Sequence, residues 1–329
     1  MSSSAVSIII PNWNGANVLP RCLTALSAQT FTDYEAIVVD NASTDGSVDN
    51  LEAQWPNVQV IRLDRNLGFA AANNIGAHHA RGRWLALLNN DAFPEPGWLA
   101  ALVQATRTHP EFTFFASRLI QAEAPNLLDG AGDVYHITGL AWRRCYNIPV
   151  DQCGTQIEEV FSPCAAAALY PRDAFLEVGG FDEDFGSYHE DVDIGFRLRL
   201  RGHHCLYIPD AIVHHIGSAS TGKQSDFSVY YGHRNLVWSY TQNMPGFLFW
   251  VYLPAHLYVT IIFLIHYSLR GQAKAIWKAK LHALTGLPAA LRKRRIVQSH
   301  RQVHPTEISR VLEHTWLKPY LLNFRARLR

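Results

Sequence analysis

The stretch Trp84-Leu85-Ala86-Leu87-Leu88-Asn89-Asn90-Asp91 places five apolar residues directly before two amides and a carboxylate. A short, unbroken apolar run is typical of a strand that is buried on both faces, as in a parallel sheet covered by helices. In open sheets of this kind, ligands bind in the crevice beyond the carboxyl ends of the strands. We therefore predict that Asn89 and Asp91 face a ligand-binding crevice, although a lone carboxylate at a strand end also commonly caps a turn.

Apolar runs at residues 6–10, 35–39 and 58–61 also predict strands, and segments with helical character follow them, including residues 47–54 and 70–80. Strands that alternate with helices through short connections are typical of an α/β fold with a doubly wound, mostly parallel, Rossmann-like sheet. The chain has 329 residues, 48% of them hydrophobic, which is enough for a large core and one or two domains.

Polar side chains follow three of these strands: Trp13 and Asn14, then Asp40, then Asn89 and Asp91. A carboxylate can accept the N3–H of a uracil or thymine ring, and an aromatic ring can pack on the base. One or two carboxylates, completed by diphosphate oxygens and water, suit Mg²⁺ or Mn²⁺. The chain has neither a Gly-x-Gly-x-x-Gly turn after the first strand nor a Gly-Lys-Ser/Thr loop. A diphosphate bound here would therefore need a divalent cation to offset its charge.

The order and spacing of several segments resemble the family-two inverting glycosyltransferases with the GT-A fold, in the branch of rhamnosyltransferases and other bacterial surface-polysaccharide enzymes. The resemblance covers roughly residues 5–235. The matching segments are Ile8-Ile9-Ile10-Pro11-Asn12-Trp13-Asn14, Val38-Val39-Asp40-Asn41-Ala42-Ser43-Thr44-Asp45-Gly46-Ser47, Asn66-Leu67-Gly68-Phe69 with Asn73-Asn74-x-Gly76, and Leu88-Asn89-Asn90-Asp91.

This resemblance implies that Asp40 contacts the pyrimidine and that Asp91 holds the metal ion. The family's metal motif is often Asp-x-Asp, and Asn89 stands at its first position, so metal affinity is expected to be lower. A histidine of the family's His-x-x-Gly segment can join the metal, and His214 fits that spacing better than His215. The nucleotide-sugar-binding residues expected on the matching segments are Pro11, Trp13, Asn14, Asp40, Asn66, Gly68, Asn73, Asn89 and Asn90.

The catalytic candidates are Glu190 and Asp191, which open a predicted helix. Inverting transfer needs a base that takes the proton from the acceptor hydroxyl as its oxygen attacks the sugar. The resemblance implies that a carboxylate of this Glu-Asp pair is the base, and Asp191 matches it. In the alternative interpretation these acids only favour the helix N-terminus through its dipole, which would also depress the pKa of the Asp191 carboxyl.

Residues 116–160 are harder to interpret. The acidic turn 129–133 and the basic patch Trp142-Arg143-Arg144 could face a donor or acceptor, but the favoured interpretation is a solvated loop. The small residues at 164–169 are expected to let substrate approach the backbone. The five cysteines, odd in number and without a Cys-x-x-Cys pair, predict reduced thiols in a reducing compartment. The N-terminus has no basic region or cleavage site, so no signal peptide is expected.

Charge is divided unevenly along the chain: residues 1–240 carry a net charge of −11 and residues 241–329 a net charge of +12. The basic tail follows an apolar run, residues 246–269, that is long enough to cross a bilayer. A tail of this kind favours anionic lipid over nucleic acid as its partner. Nucleotide sugars are cytosolic, and the positive-inside rule places the basic tail on the cytoplasmic side as well. A single crossing cannot satisfy both constraints.

The apolar run is therefore predicted to form a re-entrant hairpin broken near Pro254, or helices that lie in the interface, and a core or dimer helix is the alternative. An interfacial helix is also expected just beyond the run, with lysines around its apolar face. That face consists of Ala273, Ile276, Trp277, Leu281 and Leu284.

Taken together, the sequence predicts a nucleotide-sugar-binding half (1–115), an acceptor-binding and catalytic half (116–240) and a helical, basic, membrane-associated tail (241–329). The expected activity is metal-dependent, inverting transfer from a UDP- or dTDP-sugar to a lipid-linked or cell-surface polysaccharide acceptor. The expected location is the cytoplasmic face of the inner membrane, as a peripheral or monotopic protein. One alternative is a membrane-docked nucleotide-sugar-binding protein without turnover, which Asn89 suggests. Another is a nucleotidyltransferase, which would need a Gly-rich basic loop that residues 11–15 lack.

Overall fold

The computed structural model describes residues 4–217 and 225–315, so residues 316–329 of the basic tail and residues 218–224 lie outside the described part. The strands are β1 (Val6–Asn12), β2 (Tyr34–Asp40), β3 (Val58–Arg62), β4 (Trp84–Leu88), β5 (Ala92–Pro94), β6 (Phe114–Gln121), β7 (Leu128–Gly130), β8 (Asp133–Tyr135), β9 (Ala141–Arg143), β10 (Glu158–Val160), β11 (Ala167–Pro171) and β12 (Cys205–His215). The helices are α1 (Leu19–Ser27), α2 (Leu51–Gln54), α3 (Phe69–His79), α4 (Trp98–Thr108), α5 (Arg172–Glu177), α6 (Glu190–Leu200), α7 (Asp226–Asn243), α8 (Leu248–Leu269), α9 (Ala273–Thr285), α10 (Leu287–Ser299) and α11 (Pro305–Val311).

The main sheet has the strand order β10-β12-β6-β11-β4-β1-β2-β3, with β5 paired to β12 and β7 paired to β6. Strands β3, β2, β1 and β4 are parallel, and their register sets Asn12 opposite Asp40. The predicted α/β class with its parallel, doubly wound half is confirmed. Strand β11 runs antiparallel between β4 and β6, which the sequence did not suggest.

Strand β4 is buried on both faces, as its apolar run predicts. Ala86 and Leu88 belong to the hydrophobic cluster on one side of the sheet, and Leu85 and Leu87 belong to the cluster on the other side. Helices therefore cover both faces of the sheet at this strand.

Two local predictions need correction. The helix expected over residues 47–54 is a single turn, α2. The small residues at 164–169 are buried and lead into β11, a strand inside the sheet, so they are not an open approach to the backbone.

The apolar run forms one continuous helix, α8, which passes through Pro254 without a break. The predicted hairpin near Pro254 is therefore wrong. Residues Gly246–Leu269 are long and apolar enough to cross a membrane, and only 22% of the most apolar stretch is buried in the protein. This exposure argues against the alternative of a core helix.

The predicted interfacial face of α9 is partly buried in the protein and partly exposed. Ile276 packs in the protein, whereas Trp277, Leu281 and Leu284 are exposed. The basic run that follows is also partly engaged, because Lys293 of α10 forms ion pairs with acids near residue 183.

The cysteines differ from expectation. Cys145 and Cys153 form a disulfide, with their Cα atoms 5.9 Å apart, and Cys22, Cys164 and Cys205 are buried free thiols. The prediction of five reduced cysteines is therefore wrong for Cys145 and Cys153.

Candidate active site

The carboxyl ends of β1, β2 and β4 meet in a hydrogen-bonded cluster centred on Asn12. Its Nδ2 donates to Asp40 Oδ1 at 3.0 Å and to Ser47 Oγ at 2.9 Å, and its Oδ1 accepts from Asn90 Nδ2 at 2.9 Å. Ser43 donates from its hydroxyl to Asp40 Oδ1 at 2.5 Å and from its amide to Oδ2 at 3.1 Å. Asn12 thus ties Asp40 to the end of β4, a role that the sequence analysis missed although Asn12 stands in the same motif.

The loop after β1 presents Trp13 to the outside. Pro11 lies inside β1, opposite Val39 of β2, and is half-buried. Asn14 has a left-handed backbone (φ 51°), and its Oδ1 accepts from the amide of Thr44 at 2.9 Å. This pinned loop leaves the Trp13 side chain 50% exposed, which suits packing against a flat ligand.

Asn66 and Gly68 form a tight turn before α3. Asn66 Oδ1 accepts from the Gly68 amide at 2.8 Å, and the Asn41 side chain holds the turn through two contacts of 3.1 Å. Asn73 is fully buried in α3 and donates to the Phe69 carbonyl at 3.0 Å. A side chain with no exposed surface cannot touch a donor, so the prediction of direct donor contact is wrong for Asn73.

Asp91 faces His215, near the end of β12. The Nε2 atom of His215 lies 3.3 Å from Asp91 Oδ1, and its Nδ1 atom lies 2.7 Å from Asp129 Oδ2. Burial raises the pKa of the Asp91 carboxyl, but the hydrogen bond and charge of His215 outweigh it and lower this pKa overall. Burial alone would lower the pKa of His215, but its hydrogen bonds to Asp129 and Asp91 raise it.

His214 does not join this group. Its Nε2 atom lies 3.0 Å from Glu95 Oε1, on the other face of β12. The prediction that His214 lies beside Asp91 is therefore wrong, and His215 takes that place. Successive side chains of a strand point to opposite faces, so both histidines cannot face the same crevice.

The residues at the end of β4 fit a hard divalent cation. Within residues 4–217 and 225–315, no group of three or more His, Cys, Asp or Glu side chains forms a metal site. Asp91 offers one ligand. His215 would offer a second once a cation displaces the proton that its two carboxylate partners favour, and Asp129 can orient the imidazole. The Oδ1 atom of Asn89 is buried without a hydrogen-bond partner, so it could accept from a metal-bound water. A cation here would take its other ligands from a diphosphate and water.

Glu190 and Asp191 lie at the start of α6, as predicted. Asp191 Oδ1 accepts from the Val192 amide at 2.8 Å, and its Oδ2 accepts from the Ala165 amide at 3.4 Å. Burial raises the pKa of the Asp191 carboxyl, and these amides and Arg143 offset the effect only in part. The direction is opposite to the depressed pKa expected from the helix dipole, and a carboxylate with a raised pKa accepts a proton more readily.

Two further buried acids surround Asp191. Burial and the neighbouring Asp191 charge raise the pKa of the Glu190 carboxyl, and its Oε2 atom has no hydrogen-bond partner. The same two causes raise the pKa of Asp133, at the start of β8. The group therefore holds protons more tightly than separate carboxylates would.

The interpretation of residues 129–133 and 142–144 as a solvated loop is wrong. Asp129 and Asp133 are buried, and Arg143 forms an ion pair with Asp129 while its charge also acts on Asp191. This arrangement joins the Asp91–His215 pair to the acids of α6. The Asn12 cluster connects Asp40 to Asn90, the residue before Asp91.

Two side chains of α7, Asn235 and Arg234, hold the main chain of the segment before Asp191, and we call this pair the clamp. Asn235 Nδ2 donates to three main-chain carbonyls at 2.8–2.9 Å, and Arg234 donates to two. The clamped segment ends in two residues with left-handed backbone, Tyr188 (φ 66°) and His189 (φ 69°). The carbonyls that Asn235 contacts belong to Phe185, Ser187 and Tyr188.

Comparison with known proteins gives a consistent assignment. The family model described as glycosyl transferase family 2 matches residues 7–177, more than half of the chain. A second model, glycosyl transferase family group 2, matches residues 150–291.

Curated relatives include the O-antigen biosynthesis protein RfbC of Myxococcus xanthus, 32% identical over 208 residues, 60% of this chain and 16% of that protein. This chain thus corresponds to a small part of RfbC. An N-acetylglucosaminyl-diphospho-decaprenol L-rhamnosyltransferase of Mycobacterium tuberculosis is 29% identical over 230 residues, 62% of this chain and 74% of that protein.

Two solved structures share the fold. GalNAc-T7 with UDP, GalNAc and Mn²⁺ has a TM-score of 0.59 at 20% identity, and covers 72% of this chain and 47% of its own. The second is the mannosyltransferase PcManGT from Pyrobaculum calidifontis, with GDP-Man and Mn²⁺, which has a TM-score of 0.53 at 16% identity. The match covers 99% of this chain and 80% of the PcManGT chain. At these identities, the likeness is one of fold.

Proposed function

This chain belongs to glycosyl transferase family 2, and we propose that it transfers a sugar, with inversion, from a UDP- or dTDP-sugar to a lipid-linked or cell-surface polysaccharide acceptor. Its fold is that of the GT-A glycosyltransferases, and relatives with O-antigen and rhamnosyltransferase names support a role in polysaccharide biosynthesis. One observation supports the proposal: a series of polar contacts connects the regions of Asp40, Asp91 and Asp191, which lie far apart in the sequence. Asn12 joins Asp40 to Asn90, the neighbour of Asp91. Asp91 contacts His215, Asp129 joins His215 to Arg143, and the charge of Arg143 acts on Asp191.

The donor would bind across the carboxyl ends of β1, β2 and β4. In this proposal Asp40 accepts the N3–H of the pyrimidine, and the exposed ring of Trp13 packs on the base. The turn at Asn66 and Gly68 borders the same cleft: a Cβ atom added to Gly68 would lie 3.9 Å from the carbonyl of Gly186. That turn therefore lies beside Gly186, in the segment that leads to the proposed base.

Asp191 would act as the base. Its carboxylate accepts the proton of the acceptor hydroxyl while the acceptor oxygen forms a bond to the sugar C1. The bond between C1 and the diphosphate oxygen breaks on the opposite face, and the nucleoside diphosphate leaves with that electron pair. The Ala165 amide holds the Asp191 carboxylate in place, and the raised pKa improves its proton affinity.

Asp91 and His215 would hold a divalent cation, Mg²⁺ or Mn²⁺. When bound, such a cation offsets the charge that develops on the leaving diphosphate. Asp129 contributes by keeping the His215 ring oriented, and Asn89 by accepting from a coordinated water. The Mn²⁺ in the two structural neighbours supports this part of the proposal.

The helices after residue 241 would dock the enzyme on the cytoplasmic face of the membrane, as a peripheral or monotopic protein. Helix α8 exposes large apolar side chains along much of its length, and α9 exposes Trp277, Leu281 and Leu284. Lys274 and Lys278 are exposed on α9, where they suit anionic lipid. The division into 1–115, 116–240 and 241–329 remains part of this proposal.

A thermal-shift screen tests the central point. A ligand that binds only the folded state stabilises it by about 2.7 kcal/mol at a hundredfold excess over its Kd. We expect UDP- or dTDP-sugars to raise the Tm with Mn²⁺ and much less without it, and GDP- and CMP-sugars to raise it less. If no nucleotide sugar shifts the Tm in the presence of Mn²⁺ or Mg²⁺, the proposed function is wrong.

A further inference from the structure

A cavity of about 260 Å³ lies between α7, α8, the start of β9 and the residue before α6. Most of its wall is apolar, but it contains two imidazole rings, those of His189 and His233. His189 is two residues before Asp191, so an occupant of this cavity lies next to the segment that carries the proposed base. The apolar wall includes Leu140, Val229, Leu236, Phe263 and Tyr267.

Both histidines have an unsatisfied nitrogen. The Nδ1 atoms of His189 and His233 are buried, and neither has a hydrogen-bond partner. Lys280 of α9 lies behind them and donates from Nζ to the His233 carbonyl at 3.1 Å. Burial and the Lys280 charge lower the pKa of both imidazoles. A buried polar atom without a partner is costly, and a ligand that supplies the missing hydrogen bonds recovers that free energy.

The chemistry of the wall selects the type of ligand. A nearby ammonium group repels a metal ion and attracts an anion, so Lys280 argues against a metal held by the two histidines. The cavity also extends to Phe263 and Tyr267 on α8, and the same helix exposes Ile261 and Ile265 to the outside. An occupant would therefore have an anionic end at the histidines and an apolar part along α8.

We propose that this cavity binds the phosphate-bearing end of a lipid-linked acceptor, with the phosphate at His189 and His233 and the first lipid carbons against Leu236 and Phe263. The inference rests on the proposed function, since it places the acceptor of that reaction. It adds a specific route: the lipid enters from the exposed side of α8 and brings the acceptor group toward Asp191.

Gly232 on α7 allows a direct test. It lines the cavity, and a Cβ atom added there meets no atom within 4 Å, so the side chain of Gly232→Leu begins in open space at the cavity wall. Leucine also favours a helix more than glycine does, which protects the fold. The matched control is Gly97→Leu, before α4, where an added Cβ atom likewise meets nothing within 4 Å.

The probe is farnesyl phosphate, titrated by calorimetry below its micellar concentration with the full chain in mild detergent. We expect Gly232→Leu to weaken binding at least about tenfold, which is 1.4 kcal/mol, and Gly97→Leu to bind as the wild type does. His233→Leu should weaken farnesyl phosphate in the same way and leave the weak binding of farnesol unchanged.

Several outcomes overturn the inference. The first is that farnesyl phosphate does not bind the wild type. The second is that it binds Gly232→Leu as tightly as the wild type. The third is that farnesol or inorganic phosphate binds the wild type as tightly as farnesyl phosphate does. The nucleotide-sugar thermal shift, measured on the same preparations, separates the two proposals. A normal donor shift without farnesyl phosphate binding removes only the cavity proposal, whereas loss of any donor shift in the wild type removes the proposed function.

Discussion

The Nδ1 atom of His215 lies 2.7 Å from Oδ2 of Asp129. With a cation bound, a neutral His215 that donates Nδ1–H to this carboxylate would present the lone pair of Nε2 on the side of Asp91, which is 3.3 Å away. Carboxylates behind a histidine commonly fix the tautomer and the ring orientation of a metal ligand. In the proposed site, Asp129 of β7 would therefore support the His215 ring beside a cation at Asp91.

Asp129→Asn should weaken the cation site. The amide cannot match the carboxylate as an acceptor for Nδ1–H, and loss of such a support commonly reduces metal affinity or activity by about 10–100-fold. We expect the Mn²⁺ concentration at half-maximal transfer to rise within that range. Asp173→Asn, whose side chain is almost fully exposed, is the control. An unchanged Mn²⁺ dependence would show that Asp129 does not support the cation.

Asp191→Asn should lower activity and raise stability. Removal of a general base reduces the rate by about 10²–10⁴-fold. Because burial raises the pKa of Asp191 in the folded state, the folded protein holds this proton more tightly than the unfolded chain does. The free energy of unfolding therefore falls as the pH rises from the pKa of Asp191 in the unfolded chain, about 3.9, through its pKa in the folded protein. Asparagine does not ionise, so Asp191→Asn does not lose this stability.

The Tm of Asp191→Asn minus that of the wild type should grow between pH 4 and pH 8, as measured by calorimetry in EDTA. The Tm of Asp173→Asn minus that of the wild type should be the same at pH 4 and at pH 8. Full activity of Asp191→Asn with a native acceptor would mean that another group is the base.

Gly15→Ala should disrupt the Asn12 cluster. An added Cβ atom would overlap Asn12 Oδ1 and lie 2.5 Å from Asn90 Nδ2, so the hydrogen bond between these side chains would break. We expect a loss of about 1–3 kcal/mol in stability and weaker binding of UDP in titration calorimetry. Gly97→Ala, where the added Cβ meets nothing within 4 Å, should change neither quantity. Wild-type UDP affinity in Gly15→Ala would contradict a role of this cluster in the donor site.

Asn235→Ala should impair catalysis more than donor binding. Its Nδ2 holds three carbonyls of the segment before His189, and unpaired buried carbonyls cost about 1–3 kcal/mol. A loosened segment misplaces Asp191 while the donor cluster at Asn12 is untouched. We expect kcat to fall and the donor KM to stay near the wild-type value, whereas Asn57→Ala, at an exposed position, should change neither. A rise in donor KM alone would argue against a positioning role.

Leu257→Glu on α8 and Leu281→Glu on α9 should each weaken binding to vesicles that contain anionic phospholipid. Both side chains are at least half exposed in the structure, and burial of a leucine contributes about 1.5–3 kcal/mol. Ile157→Glu, an exposed apolar residue outside these helices, is the control in co-sedimentation. Complete recovery of the wild type in the soluble fraction at low salt would rule out membrane docking.

Much of the donor half could be derived from local pattern. The apolar run of β4 predicted the strand, because burial on two faces leaves a direct mark on the sequence. Asp40 and Asp91 followed from the same reasoning. Asn73 did not, because the helical phase that buries it depends on how α3 packs on the sheet.

Local pattern thus determined the class of fold, the strands of the parallel half and the chain positions where polar groups leave the core. Tertiary structure alone decided that His215 and not His214 faces Asp91: residues 211–213 are all apolar, so alternation did not reveal the phase, and pairing of β12 with β5 and β6 set it. It also brought Asp129 to His215 and the charge of Arg143 to Asp191, and each of these pairs is separated by more than forty positions in the chain. Contacts at such separation leave no local periodicity in a single sequence, and the packing of the whole chain decides them.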